Sequence, residues 1–307
     1  MVAMTPAAPV FRTTRAFMDT PVTVAIAGDQ EAACATAAEQ AFGWFAEVEA
    51  RCSRFDPNSE LRALALQPGQ AVPVSPVLMQ ALRFACAVAE VSGGAFDPTI
   101  GGRQQARGLV RNYRTGRQEP WLASGDAGAG EPTWRDIRLD EDAQTVTLLR
   151  PLLPDLGAVA KGLAVDLAAR AIRQAGFHQF TVEAGGDLFA AGRAWRVGIQ
   201  HPRNPGALLG AIEVRDAAVC TSGDYARRAP GGGHHILDPR AGGSPDAAVS
   251  CTVIAPSAMM ADALATAAFV LGPRVGLPWL LGQGAEGMLL GPDLTPYTTP
   301  GFGRLIS

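Results

Sequence analysis

The sequence predicts an α+β fold: a mixed, largely antiparallel sheet packed with helices. Two observations carry this. Short stretches with apolar residues at period two are interspersed with long stretches of helical period. They do not alternate strand–helix–strand, as a doubly wound parallel sheet would require. The 307 residues can bury a substantial core. No internal repeat or clear linker divides them, so one domain is expected over 16–307, with 1–15 a loose N-terminal arm around Pro6 and Pro9.

Met18 to Gly28 reads as a first strand, with Val22, Val24 and Ile26 on one face. Glu31 to Cys52 reads as a long amphipathic helix whose apolar stripe includes Ala41, Phe42, Phe45 and Val48. A turn follows, in which Asn58 or Ser59 caps a short helix from Glu60. Pro76 to Ser92 predicts a helix with proline in its first turn and Gly93-Gly94 beyond its end. Phe96-Asp97-Pro98-Thr99 leads into Gly101-Gly102, and Arg103 to Pro132 is polar, glycine-rich and weakly periodic, expected as an ordered loop or insertion. From Asp136 the pattern is strand, turn, strand, through Ile137 and Leu139 and then Val146 to Leu149. A helix follows over Ala158 to Gln174. Strands are expected at Phe180–Glu183, Trp195–Gln200, Leu209–Val214 and Ala217–Thr221. Gly223-Asp224 forms a turn, Pro230 to Gly233 a hairpin tip, and His234-His235 begins the return strand. Val249 to Ile254 leads into a helix over Ala258 to Leu271, and the last strand is Gly287 to Leu290.

Bulk properties narrow the function classes. Hydrophobic residues make up 48% and charged residues 18%, ordinary for a globular enzyme. A net charge of -3 gives no basic face for nucleic acid. Cys34, Cys52, Cys86, Cys220 and Cys251 are scattered and never in CxxC spacing, so they are expected as buried thiols, not a zinc site or disulfide framework. No apolar stretch approaches the roughly 20 residues that span a bilayer. The N-terminal residues lack an apolar signal region, and no cysteine near the start offers a lipid site. A cytoplasmic chain is expected on that reading, or a periplasmic one if a leader was removed.

Several short blocks carry candidate chemistry. Asp262 and Thr266 are four apart, so on a helix they share a face. Their oxygens suit a hard cation such as Mg²⁺, although an aspartate with a back-bonded threonine is also common on helices. Asp155 to Gly162 opens a helix whose N-terminus favours an anion, and Lys161 adds a point charge toward phosphate. The blander reading is a capped helix start with Lys161 in solvent. Glu183-Ala184-Gly185-Gly186-Asp187 is either a tight turn or a place where ligand meets backbone. Asp97 either accepts hydrogen bonds from a ligand or caps the Pro98 turn. On a strand, His234 and His235 point to opposite faces, so at most one readily faces a site. A histidine beside a phosphate ester can act as general base toward a hydroxyl.

Taken together these blocks resemble one family, the FAD:protein FMN transferases or ApbE family. Asp155 to Gly162 resembles its DLG-x-x-AKG block, Glu183 to Asp187 its LGGD-like turn, and Thr221 to Tyr225 its TSGDY. His235 to Gly242 resembles HILDPRTG, and Ala255 to Thr266 its AP-T-A-x-x-ADALAT. Met18 to Val22, Ser53-Arg54-Phe55 and Phe96 to Thr99 resemble the family's MGT strand, SRF turn and FDPT block. The likeness runs from about residue 16 to about 290, in family order.

The resemblance implies an ApbE-like fold and a Mg²⁺-dependent transferase. Such an enzyme cleaves FAD and attaches FMN through a phosphoester bond to a threonine of an acceptor flavoprotein, releasing AMP. By the same resemblance, Asp262, Thr266 and the backbone of Ala160 hold the ion and His235 is the base. Met18, Phe55, Asp97, Lys161, Glu183, Gly185, Gly186 and Ser222 line the FAD site, with Asp155 and Asp238 around it. The chain departs from the pattern at Asp19 (glycine in the family), His234 (serine) and Ala241 (threonine), and the Trp-Gly stretch after Gly102 is missing. Two further readings share these residues: a Mg²⁺-dependent FAD pyrophosphatase using water as acceptor, and a module that binds FAD without turning it over.

Overall fold

The computed structural model describes residues 9–108, 130–225 and 232–305. The chain begins with strands β1 (Val10–Phe17) and β2 (Thr20–Ala27), then helices α1 (Glu31–Cys52) and α2 (Glu60–Ala65). Next come strand β3 (Ala71–Pro73), helices α3 (Pro76–Val91) and α4 (Gly101–Ala106), and strands β4 (Ile137–Asp140) and β5 (Thr145–Leu148). Helix α5 (Ala160–Gln174) leads into β6 (Phe180–Ala184), β7 (Asp187–Ala191), β8 (Trp195–Gln200), β9 (Leu208–Val214), β10 (Ala217–Gly223) and β11 (Ser250–Ala255). Helix α6 (Ala258–Gly282), β12 (Glu286–Leu290), β13 (Pro296–Thr298) and α7 (Pro300–Gly303) complete the described chain.

The main sheet has the order β1-β2-β6-β7-β10-β11-β12-β13, and every neighbouring pair in it is antiparallel. Smaller antiparallel sheets are formed by β3-β5-β4 and by β8-β9. The α+β class with a largely antiparallel sheet is therefore what the chain adopts.

Period two explains how the main sheet is covered on both faces. In β10, Ala218 and Cys220 join one core with residues of α1, α3, α5 and α6, while Val219 joins a second core with Ile199, Ile212 and Val214 of the β8–β9 hairpin. β12 divides likewise, Leu289 on the helical side and Met288 and Leu290 on the other. Ala41, Phe42, Phe45 and Val48 lie on the buried stripe of α1. Ser59 caps α2, its side chain accepting from the Arg62 N–H, and Ser75 caps α3 in the same way. Cys34, Cys52, Cys220 and Cys251 are buried and Cys86 is half-buried, all as free thiols.

Several expectations are corrected. Residues 10–15 are not a loose arm. They belong to β1, which pairs along its length with β2, and backbone pairing places Arg12 and Arg15 in a strand that their polarity disguised. The strand expected from Met18 starts at Thr20 and is the second of the chain, because Met18 and Asp19 form the tip of the hairpin that joins it to β1. β7 begins directly after the Gly185-Gly186 turn. Gly101 to Ala106 form α4, so the expected loop begins in a helix; residues 109–129 lie outside the described residues. The expected hairpin tip at Pro230 lies partly outside them, and His234 makes an isolated bridge with no return strand after it.

Helix α6 is long and apolar enough to cross a membrane by length and composition, which the sequence reading did not anticipate. Its helical geometry breaks at Gly272 (φ 72°), just after the expected end at Leu271, and Asp262 to Val270 is mostly packed in the core.

Candidate active site

One end of the main sheet carries a cavity of about 350 Å³. Two tight hairpin tips reach it. In the first, Phe17 pairs with Thr20 across Met18 and Asp19, both at positive φ (51° and 63°). Tolerance of this conformation by Asp accounts for its presence where the resemblance expects glycine. In the second, Ala184 pairs with Asp187 across Gly185 and Gly186, at φ 54° and 98°. A Cβ on Gly185 would collide with the Thr20 hydroxyl, so the second tip nests against the first. The antiparallel ladders from β2 to β6, β7 and β10 bring Thr221 and Ser222 to this same end.

The helices supply charge and oxygen. Gly162 lets α5 press against the start of α6, since a Cβ there would fall 2.5 Å from the Ala258 carbonyl oxygen. Asp166 of α5 reinforces this contact. Its carboxylate accepts the N–H groups of Ala258 (2.7 Å) and Met259 (3.0 Å), capping the N-terminus of α6. Burial still raises its pKa above the ordinary value, outweighing those bonds.

Asp262 is thereby held, 7% exposed, at the cavity wall. Burial raises its pKa, opposed by the Lys161 charge and the Gly162 N–H. Lys161 donates to buried Asp187 and places Nζ 3.4 Å from Asp262 Oδ2. Thr266, one turn beyond Asp262, has its hydroxyl 3.0 Å from Ser222 Oγ. Ala160 lines the same wall. The donor set is hard oxygen, and its one carboxylate already attracts a cation, the Lys161 ammonium. It therefore fits a Mg²⁺ that takes its remaining ligands from water and substrate phosphate. Among the described residues no group of three or more His, Cys, Asp or Glu could hold a metal alone.

Ser53 to Phe55 and Ala95 to Asp97 also line the cavity. Arg54, 6% exposed, lies with Cζ 4.7 Å from the Phe55 ring centroid and pairs with Asp155 Oδ2 at 2.9 Å. Asp97 holds a turn and lines the cavity. Its Oδ1 accepts the Thr99 N–H (2.9 Å) and hydroxyl (2.8 Å), and its Oδ2 accepts the Trp134 N–H (3.1 Å). A carboxylate has roughly four acceptor positions, so both readings of Asp97 remain compatible. The Met18 N–H reaches Glu49 Oε2 at 3.4 Å. Cys52 also borders the cavity, but burial pushes its thiol up to about 12, leaving it neutral and non-nucleophilic.

The two histidines separate cleanly. His234 is buried, its Nε2 2.9 Å from the Pro245 carbonyl and its ring edge-on to Phe269 at 5.4 Å. His235 is half-buried and borders the cavity. Its carbonyl accepts a hydrogen bond from Gln104 Nε2 at 3.1 Å. Asp238 does not line the cavity; Leu237 and Pro239 beside it do. It instead grips Arg240, Oδ1 accepting from Nε at 2.9 Å and Oδ2 from Nη2 at 3.0 Å. Burial raises its pKa, but the Arg240 bonds and charge prevail and hold the carboxyl below the ordinary range.

The cavity thus gathers Met18, Phe55, Asp97, Ala160, Lys161, Gly185, Ser222, His235, Asp262 and Thr266. Glu183 and Gly186 do not line it. Glu183 sits exposed between buried Val182 and Ala184, so strand alternation turns it to the other face, and Gly186 completes the turn behind Gly185. Sequence reasoning missed Asp187 and Gln104. Asp187 is the last residue of a block that was noticed, and its value as the partner of Lys161 appears only once β7 is folded. Gln104 carries no sequence signal, being one of several polar residues in a glycine-rich stretch without clear periodicity.

Comparison with known proteins places the chain among relatives. A model of the ApbE family matches residues 18–289. A Treponema pallidum protein named FAD:protein FMN transferase is 33% identical over 266 residues, covering 77% of this chain and 71% of that protein. A Rhodobacter capsulatus protein of the same name is 34% identical over 231 residues, covering 70% of this chain and 44% of that protein, so the chain spans less than half of that relative. The crystal structure of the ApbE protein from Thermotoga maritima superposes with TM-score 0.86 at 28% identity, covering 97% of this chain and 100% of that one.

Proposed function

The chain belongs to the ApbE family, and on that premise we propose that it is an FAD:protein FMN transferase. It cleaves the diphosphate of FAD, attaches FMN by a phosphoester bond to a threonine of an acceptor flavoprotein, and releases AMP. The observation that carries this reading is the convergence of Lys161, His235, Asp262 and Thr266, from distant parts of the chain, on one cavity that Phe55 and Phe96 also line. Its volume falls within the roughly 300–1,000 Å³ usual for small-molecule sites.

Each residue's role follows from its surroundings. The Phe55 face offers a stacking surface for a ring of the dinucleotide. The Lys161 ammonium, held by Asp187, attracts the diphosphate. Asp262, Thr266 and the backbone of Ala160 would hold a Mg²⁺, which when bound supplies positive charge to offset that of the diphosphate. His235 takes the proton of the acceptor hydroxyl as the threonine oxygen bonds to the FMN phosphorus and the bond to AMP breaks. Gly185 and the start of α5 keep bulk away from the phosphates.

Chromatographic measurement of FAD and AMP, with and without an acceptor domain, tests the proposal. A transferase consumes FAD only with acceptor and Mg²⁺ present, and forms AMP and adduct in equal amounts. Equal consumption without acceptor indicates a pyrophosphatase; binding without consumption indicates a flavin-holding module.

A further inference from the structure

We propose that Gln104 is a positioning residue that fixes the His235 loop relative to the Arg54–Phe55 wall of the cavity. The proposal rests on the reading of His235 as the base. Gln104 is 4% exposed, sits on α4 and borders the cavity. Its amide is used in both directions. Oε1 accepts from Arg54 Nη1 at 2.6 Å, and Nε2 donates to the His235 carbonyl at 3.1 Å.

Each end of this bridge is anchored. Arg54 lies against Phe55 and pairs with Asp155, whose Oδ1 in turn accepts the Gly157 N–H at 2.9 Å. On the other side, the neighbouring residue Arg103 donates to the Pro239 carbonyl. Consecutive residues of α4 therefore hold the loop at His235 and again at Pro239. No strand continues after His234, so regular backbone pairing does not fix this loop.

The chemistry selects an amide. Arginine offers only donors and a carbonyl only accepts, so the side chain between them must accept at one atom and donate at another. Glutamate has the same size and satisfies Arg54, but it turns an oxygen lone pair toward the His235 carbonyl. Displacing a catalytic group by about 1 Å can cost on the order of 10²-fold in rate, so this contact has leverage over the base through the backbone of its loop.

The test is a double-mutant cycle on flavin transfer by the full chain, using Gln104→Glu and His235→Ala. Gln104→Glu is expected to lower kcat about tenfold or more while KM for FAD moves less than about twofold. In the His235→Ala background the same change should cost less than about twofold, because no base remains to misplace. Wild-type kcat in Gln104→Glu overturns the proposal, and so do losses that multiply in the double variant. If His235→Ala alone is fully active, the base assignment fails, and this is visible independently of Gln104. Should Gln104→Glu not fold by circular dichroism, Arg103→Met decides. That residue is more exposed, and its loss should lower kcat about threefold at unchanged KM for FAD; unchanged kcat there rejects the clamp.

Discussion

His234 and His235 share a side chain but not an environment. One closes a packed corner against Phe269 and Pro245; the other borders the cavity. His235→Ala should lower the transfer rate by about 10²–10⁴-fold with little change in melting temperature, as expected for loss of a general base. His234→Ala should instead cost about 1–3 kcal/mol of stability, read by chemical denaturation, with kcat per folded molecule nearly unchanged. The reverse ranking would exchange their roles. Asp262→Ala should abolish Mg²⁺-dependent turnover in a folded protein; normal turnover would remove it from the ligand set. Asp238 contributes at the acid end. Its carboxyl is depressed in the folded chain, so the stabilisation is complete above the unfolded value near 3.9 and is lost as pH falls through the lower folded value. Asp238→Asn should therefore flatten the stability–pH curve below about pH 4, and an unchanged acid limb would contradict the assignment.

Among the elements, the helices were the most legible. α1 and α3 follow from apolar periodicity and recognisable ends, and the Ser59 cap from its side-chain oxygen. Elements whose sequence carries little hydrophobic pattern were not. β1 is an edge strand with Arg12, Thr13, Thr14 and Arg15 in succession, and its strand character comes from pairing with β2. β3 is three residues long and ends in Pro73. α4 is brief and begins with two glycines, so Gln104 was hidden although it borders the cavity. Most of the expected site residues line one cavity, and they could be picked out because their blocks resemble a family. The exceptions, Glu183 and Gly186, were lost to strand alternation and turn geometry that a motif does not encode. At this scale, the cap of α6 by Asp166 is the contact that seats Asp262. Asp166→Ala should cost about 1–2 kcal/mol and weaken flavin transfer as α6 shifts, whereas unaltered stability would show that Ser257 suffices as the cap.

Across the whole molecule, the antiparallel sheet sets where chemistry is possible. Its ladders align the tips at Met18-Asp19 and Gly185-Gly186 with the end of β10, while α5 and α6 bring a lysine and an aspartate to the same place. Both sheet faces are covered, one by α1, α5 and α6 and the other by the β8–β9 hairpin, which leaves this end as the accessible edge of the core. The claim that unites these features is covalent transfer of FMN to a threonine. Its most direct test is intact-mass spectrometry of an acceptor flavoprotein domain after incubation with this protein, FAD and Mg²⁺, beside an acceptor Thr→Ala control. The expected result is an FMN-sized mass increase that needs both Mg²⁺ and the threonine, and that forms about 10²–10⁴-fold more slowly with His235→Ala. An adduct that persists on the Thr→Ala acceptor, or FAD cleaved with the acceptor mass unchanged, would contradict it.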